Sequence, residues 1–126
     1  MRLSDGYLKS LQAYLKQKRQ HAHRVIHRFR EQGQAFLLRS ELQSMFRELC
    51  AEPEGELLLN SPMQQMIDWA QEGALDNTYC YLALRTRVGR WSYIRFQLDT
   101  LDVEELDVSS YLEARERLVD GSGRYE

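Results

Sequence analysis

Between Tyr79 and Leu98 the side chains alternate in a way that leaves this chain little freedom of fold. Successive strand residues point to opposite faces, so Cys80, Leu82 and Leu84 share one side while Tyr79, Tyr81 and Ala83 share the other. Residues 91–98 repeat the pattern, with Ile94, Phe96 and Leu98 on one side and Trp91, Tyr93 and Arg95 on the other. The link Arg87-Val88-Gly89-Arg90 supplies the glycine that a tight hairpin needs for a positive φ. An antiparallel pair with one aliphatic face requires helices to cover that face. The opposite face carries Tyr81, Trp91 and Tyr93 among arginines. It either lies under a loop or serves as an interface, since Trp, Tyr and Arg are enriched at binding hot spots. Leu101 and Val103 mark a third strand.

The flanking sequence supplies the helices. Leu8, Leu11, Leu15, Ala22, Val25, Ile26 and Phe29 recur at helical spacing, which predicts one long helix over 4–32 with an apolar stripe and a basic back. Ser4 or Asp5 caps it, and Gly33 stops it. Lys18 falls on the apolar side and must carry its ammonium outward. Phe36 to Leu38 lead into a second helix, opened by a capping box of Ser40 and Gln43, with Leu42, Met45, Phe46 and Leu49 buried. Pro53 and Gly55 punctuate an acidic turn. A third helix starts at Ser61, with Pro62 in the first position and Gln64 completing a second capping box. It buries Met63, Met66, Ile67 and Ala70 and ends at Gly73. Asp107 caps a last helix over 108–119, with Tyr111, Leu112, Arg115, Leu118 and Val119 along one side, and Gly121 ends it.

A chain of 126 residues with 43% hydrophobic and 29% charged residues is sized for one domain with a single core. No apolar run approaches the ~18 residues needed to cross a bilayer, and the N-terminus carries no apolar signal core. Cys50 and Cys80 are therefore expected to be reduced and buried rather than bridged. The net charge of −2 hides an asymmetry: residues 1–39 sum to +7 and the remainder to −9. A basic front and an acidic back attract each other, a neighbouring subunit or an anionic surface. His23 and His27 stand four apart on the basic face, but two ligands without a carboxylate make no metal site. No phosphate-cradling glycine loop, nucleophile elbow or catalytic cysteine signature is present, so no catalytic residue, cofactor or metal is expected. The basic helix lacks interleaved aromatics and the whole is acidic, which argues against nucleic acid.

One stretch resembles a known family. Arg85, Arg87, Gly89, Trp91, Tyr93 and Arg95 match the pattern R-x-R-x-G-x-W-x-Y-x-R of the N-terminal domain of sucrose synthases. Val103-Glu104-Glu105-Leu106 matches its V-E-E-L. Tyr111, Leu112, Arg115, Glu116, Leu118, Val119, Asp120 and Gly121 match its Y-L-x-x-[KR]-E-x-L-V-D-G. Upstream, Arg28 to Leu38 is similar to R-[IF]-x-x-x-G-x-x-[FI]-L. The resemblance implies a regulatory and targeting domain that precedes a UDP-dependent glycosyltransferase. That parent enzyme interconverts sucrose and a nucleoside diphosphate with fructose and a nucleotide sugar. The resemblance further implies a cytoplasmic homotetramer, with a membrane surface or actin as additional partners. The serine that is phosphorylated in this family has no match here, because Gly6 stands near its position.

The expectation is thus an α+β domain over 1–120, followed by a linker or cut end at 121–126. A long N-terminal helix and two shorter helices pack on a three-stranded antiparallel sheet, and a C-terminal helix closes the fold. The expected role is non-catalytic docking to other domains, subunits or a cellular surface. The candidate contact residues are Lys16, Arg19, Arg24 and Arg28 on the basic helix and Trp91, Tyr93 and Arg95 on the hairpin. A free-standing protein-binding adaptor of the same fold is the alternative.

Overall fold

The computed structural model describes residues 3, 5–32, 35–51 and 62–119. The element order is α1 (Asp5–Gln17), α2 (Arg19–Glu31), β1 (Phe36–Leu38), α3 (Arg39–Cys50), α4 (Pro62–Trp69), β2 (Ala70–Leu75), β3 (Tyr79–Arg85), β4 (Trp91–Gln97), β5 (Val103–Leu106) and α5 (Val108–Val119). The expected features at Ser4, Gly33, Pro53, Gly55, Ser61, Gly121 and 121–126 lie outside the described residues, as does the side chain of Val119.

The class is α+β, as expected, but the sheet has five antiparallel strands in the order β1-β2-β3-β4-β5. The central hairpin is in the register that the alternation demands, with Cys80 opposite Phe96 and Leu82 opposite Ile94. Gly89 takes φ 81 in the turn, and its N–H donates to the Thr86 carbonyl at 2.8 Å. The two added strands are β1 and β2, paired through Leu37 and Gly73. Gly73 does not stop a helix. It sits inside β2, where a Cβ would stand 2.7 Å from the Tyr81 carbonyl oxygen, so the close approach of β3 selects glycine.

The predicted single N-terminal helix is two helices. Lys18 leaves helical geometry at φ −108 and ψ 34, although the bonds Lys18 N–H to Tyr14 O and Ala22 N–H to Lys18 O bridge the break. The apolar stripe nonetheless carries through the break: Leu11, Tyr14 and Leu15 in α1 and Ala22, Val25, Ile26 and Phe29 in α2 are all buried in the core. Lys18 rests its ammonium 5.5 Å from the centre of the Tyr14 ring, the outward route its position requires.

The expected Ser40–Gln43 box is also replaced. The N-cap of α3 is Leu38, whose N–H donates to Glu41 Oε1 at 2.9 Å. Gln43 instead reaches across to the Ile67 carbonyl at the end of α4. Asp107 does cap α5, accepting from the Ser110 N–H at 2.7 Å, and this bond holds its carboxyl below the usual range.

The sheet separates two packed layers. Its aliphatic face, with Leu82, Leu84, Ile94 and Phe96, meets α1 to α4 in the main core. Its second face meets α5 through Ala74, Tyr81, Ala83, Tyr111, Ala114 and Leu118. Cys50 and Cys80 are buried and unbridged. At the β5 edge the Val103 N–H donates to Gln12 Oε1 of α1 at 2.9 Å, so a helix satisfies a donor that a bare edge would offer to another chain. No helix among the described residues is long and apolar enough to cross a membrane.

Candidate docking surface

The basic face of α1 and α2 is largely spent inside the molecule. Lys16 Nζ lies 2.6 Å from Asp102 Oδ1, and this bond holds the Asp102 carboxyl below the usual carboxylate range. Arg19 donates to the Thr100 carbonyl at 3.5 Å, and the His23 ring meets the Asp99 carbonyl at 3.2 Å. These side chains recur along one helical face and together grip the β4–β5 turn. Arg28 pairs with Glu48 on α3, whose carbonyl also meets His21 Nε2 at 2.6 Å. His27 lies between Glu31 at 3.0 Å and Arg30 at 3.1 Å. The basic front and the acidic back thus attract each other within one chain. Of the four expected cations, Arg24 alone makes no hydrogen bond or ion pair among the described residues. It borders a groove of about 380 Å³ with His23, His27 and Leu98.

The hairpin residues divide similarly. Tyr93 is half-buried under α5, with its ring centre 5.0 Å from that of Tyr111. Arg95 pairs with Glu104 on β5 and lies 4.1 Å from the Tyr79 ring centre. Trp91 remains at the rim, 43% exposed, with its ring parallel to that of Tyr93 and the Arg85 guanidinium over it. The structure therefore roofs most of this face with a helix rather than a loop, and brings only Trp91 to the surface.

Two residues that the sequence reading did not assign to a surface join it there. Val108 is 47% exposed and shares with Trp91 a groove of about 670 Å³. Leu112, expected on the inner side of α5, is 49% exposed one turn further along. The correction follows from helical phase: Tyr111, Ala114 and Leu118 form the buried stripe, which turns 108 and 112 outward. Trp91 and Val108 line one groove and Leu112 lies one helical turn from Val108, an exposed apolar group with the aromatic anchor of a docking site.

The chain matches the sucrose synthase N-terminal family over residues 4–116. It is 36% identical over 97 residues to sucrose synthase 2 of Tulipa gesneriana, covering 77% of this chain and 12% of that protein. It is 35% identical over 98 residues to sucrose synthase 2 of Hordeum vulgare, covering 78% of this chain and 12% of that protein. For sucrose synthase 2 of Oryza sativa subsp. japonica the values are 38% over 94 residues, 75% and 11%. The chain spans about an eighth of the length of these relatives. The matched segment runs from α1 into α5 and includes the Arg85–Arg95 hairpin, and the chain belongs to the sucrose synthase N-terminal family.

Proposed function

We propose that this domain is the non-catalytic regulatory and targeting module of a sucrose synthase. It docks onto the other domains or subunits of that enzyme. The observation that carries this reading is the exposed group Trp91, Val108 and Leu112 beside its groove. The partner is the rest of the enzyme, because the matched relatives extend far beyond the aligned segment. The parent interconverts sucrose and a nucleoside diphosphate with fructose and a nucleotide sugar, and its reacting groups belong to later domains. It works in the cytoplasm as a homotetramer. Arg24, the expected cation that makes no hydrogen bond or ion pair among the described residues, is a basic contact for an anionic surface such as a membrane or actin.

The test uses the native-length protein. Changing Val108→Asp and Leu112→Asp together should shift its assembly to smaller species in sedimentation velocity, while circular dichroism of the domain stays native. Assembly unchanged by these charges would remove the docking surface. Absence of UDP-dependent sucrose cleavage in the native-length protein would remove the parent enzyme.

A further inference from the structure

Charge compensation is uneven across this fold. Arg28, Arg95 and Arg115 each face a carboxylate, the last 2.6 Å from Glu72, and Arg117 stands 4.0 Å from Asp76. The β3–β4 hairpin end is different. Arg39, at the start of α3, donates only to the backbone carbonyl of Asp68, at 3.2 Å. The Arg85 guanidinium lies over the Trp91 ring, 6.0 Å from its centre. Arg87 makes no hydrogen bond or ion pair among the described residues. These three arginines line one concave cleft of about 590 Å³, together with Trp69, Gln65 and, among the described residues, a single acid, Asp68. Three separate parts of the chain, α3, α4 and the hairpin, converge to form it.

We propose that this cleft is a binding site for a small phosphate-bearing anion, such as a phosphate ester. Among the described lining residues, three guanidinium groups against one carboxylate leave a net charge of +2 in the cleft, which favours an anionic occupant. Each planar guanidinium presents a fork of N–H donors that fits two oxygens of a phosphate. A dianion with three terminal oxygens matches several forks at once, whereas one carboxylate is satisfied by one. The volume falls in the range of small-molecule clefts, roughly 300–1,000 Å³. Its walls are concave, which suits a compact ligand better than an extended acidic peptide. Trp69 is fixed by its contact with the Tyr7 ring, at 5.4 Å between centres, and offers a flat apolar wall to the organic part of an ester. Gln65 adds a neutral amide donor.

Inorganic pyrophosphate is the probe, titrated into the 126-residue chain and followed by tryptophan fluorescence and by the arginine Nε–H signals in NMR. Saturable binding is expected, with a rise in melting temperature and a loss of affinity as salt increases. Arg87→Ala, an exposed position where the fold has nothing to lose, should weaken binding about tenfold, the scale of one lost charged hydrogen bond. Arg87→Ala with Arg39→Ala should abolish saturation, while circular dichroism of the free protein stays native. No saturable binding, or binding unchanged in Arg87→Ala, overturns the proposal. So does tighter binding of an oligoglutamate peptide than of pyrophosphate, which would make the cleft a contact for an acidic protein segment.

Discussion

Tyr111 donates its phenolic hydrogen to Glu72 Oε2 at 2.8 Å and so ties α5 to β2 across the second face of the sheet. Arg115, one turn further along α5, places its Nε 2.6 Å from the same oxygen, although that N–H is not aimed well enough to count as a hydrogen bond. Burial first, and the bond to Glu72 second, push the Tyr111 phenol far above its ordinary range, so it stays a donor at any working pH. Tyr111→Phe keeps the packing and deletes the donor. It should cost about 1.5–3 kcal/mol, the range for a hydrogen bond to a charged group, read as a lower urea midpoint with an unchanged slope. A midpoint equal to the parent's would show that Arg115 alone satisfies Glu72.

Gly73 faces a second close approach. An alanine Cβ would meet the Tyr81 carbonyl at 2.7 Å and Leu82 Cδ2 at 3.1 Å, and the first of these is backbone that cannot rotate aside. Gly73→Ala must therefore spread β2 from β3. Overpacking of this kind costs about 1–3 kcal/mol, and the urea midpoint should fall accordingly. An alanine variant as stable as the parent would mean that the strand pair has slack that the structure does not show.

The same glycine explains why part of the fold escaped sequence reasoning. The β3–β4 hairpin, the Gly89 turn and the Asp107 cap were legible because each is a strong local signal: strict alternation, a glycine where φ is 81, and an acid three residues before the N–H it receives. β2 reads Ala-Gln-Glu-Gly-Ala-Leu, which has no β-branched or aromatic residue, and its strand state is imposed by pairing with β3. β1 is three residues long, too short to display alternation. The break at Lys18 has no proline or glycine to announce it. For the candidate contacts, the charge asymmetry was legible but its destination was not. The partners of Lys16, Arg28 and Arg95 come from other elements, and Asp102 lies far along the chain from Lys16.

Acid should weaken the fold through two exposed carboxylates. Asp102, bonded to Lys16, and Asp107, bonded to the Ser110 N–H, both have folded pKa values below their ordinary value of 3.8. A depressed folded pKa means that the unfolded chain takes up the proton first. Their stabilisation is therefore fully present above the unfolded value and is lost as pH falls through the folded values. The urea midpoint should hold near neutral pH and decline below about pH 4. Asp102→Asn and Lys16→Met should each flatten that decline, since either one removes the same pair. A decline of the parent's slope in both variants would place the acid sensitivity elsewhere.

Leu101 presents the sharpest trade between strain and burial. It adopts φ 63, a left-handed conformation that disfavours any residue with a Cβ, yet its side chain is fully buried in the main core. The Leu101 N–H donates to the Gln97 carbonyl and the Gln97 N–H to the Asp102 carbonyl, so the β4–β5 turn fixes this backbone independently of the side chain. Leu101→Ala loses the packing and keeps the strain, at a cost of about 2–5 kcal/mol. Leu101→Gly loses the same packing but releases left-handed strain worth about 1–2 kcal/mol, which exceeds the usual extra cost of glycine over alanine, about 0.5–1 kcal/mol. Glycine should therefore be tolerated better than alanine at this position, the reverse of the usual order. Urea midpoints of the two variants, measured side by side, decide it: alanine more stable than glycine would mean that the turn relaxes out of the left-handed region once the leucine is gone.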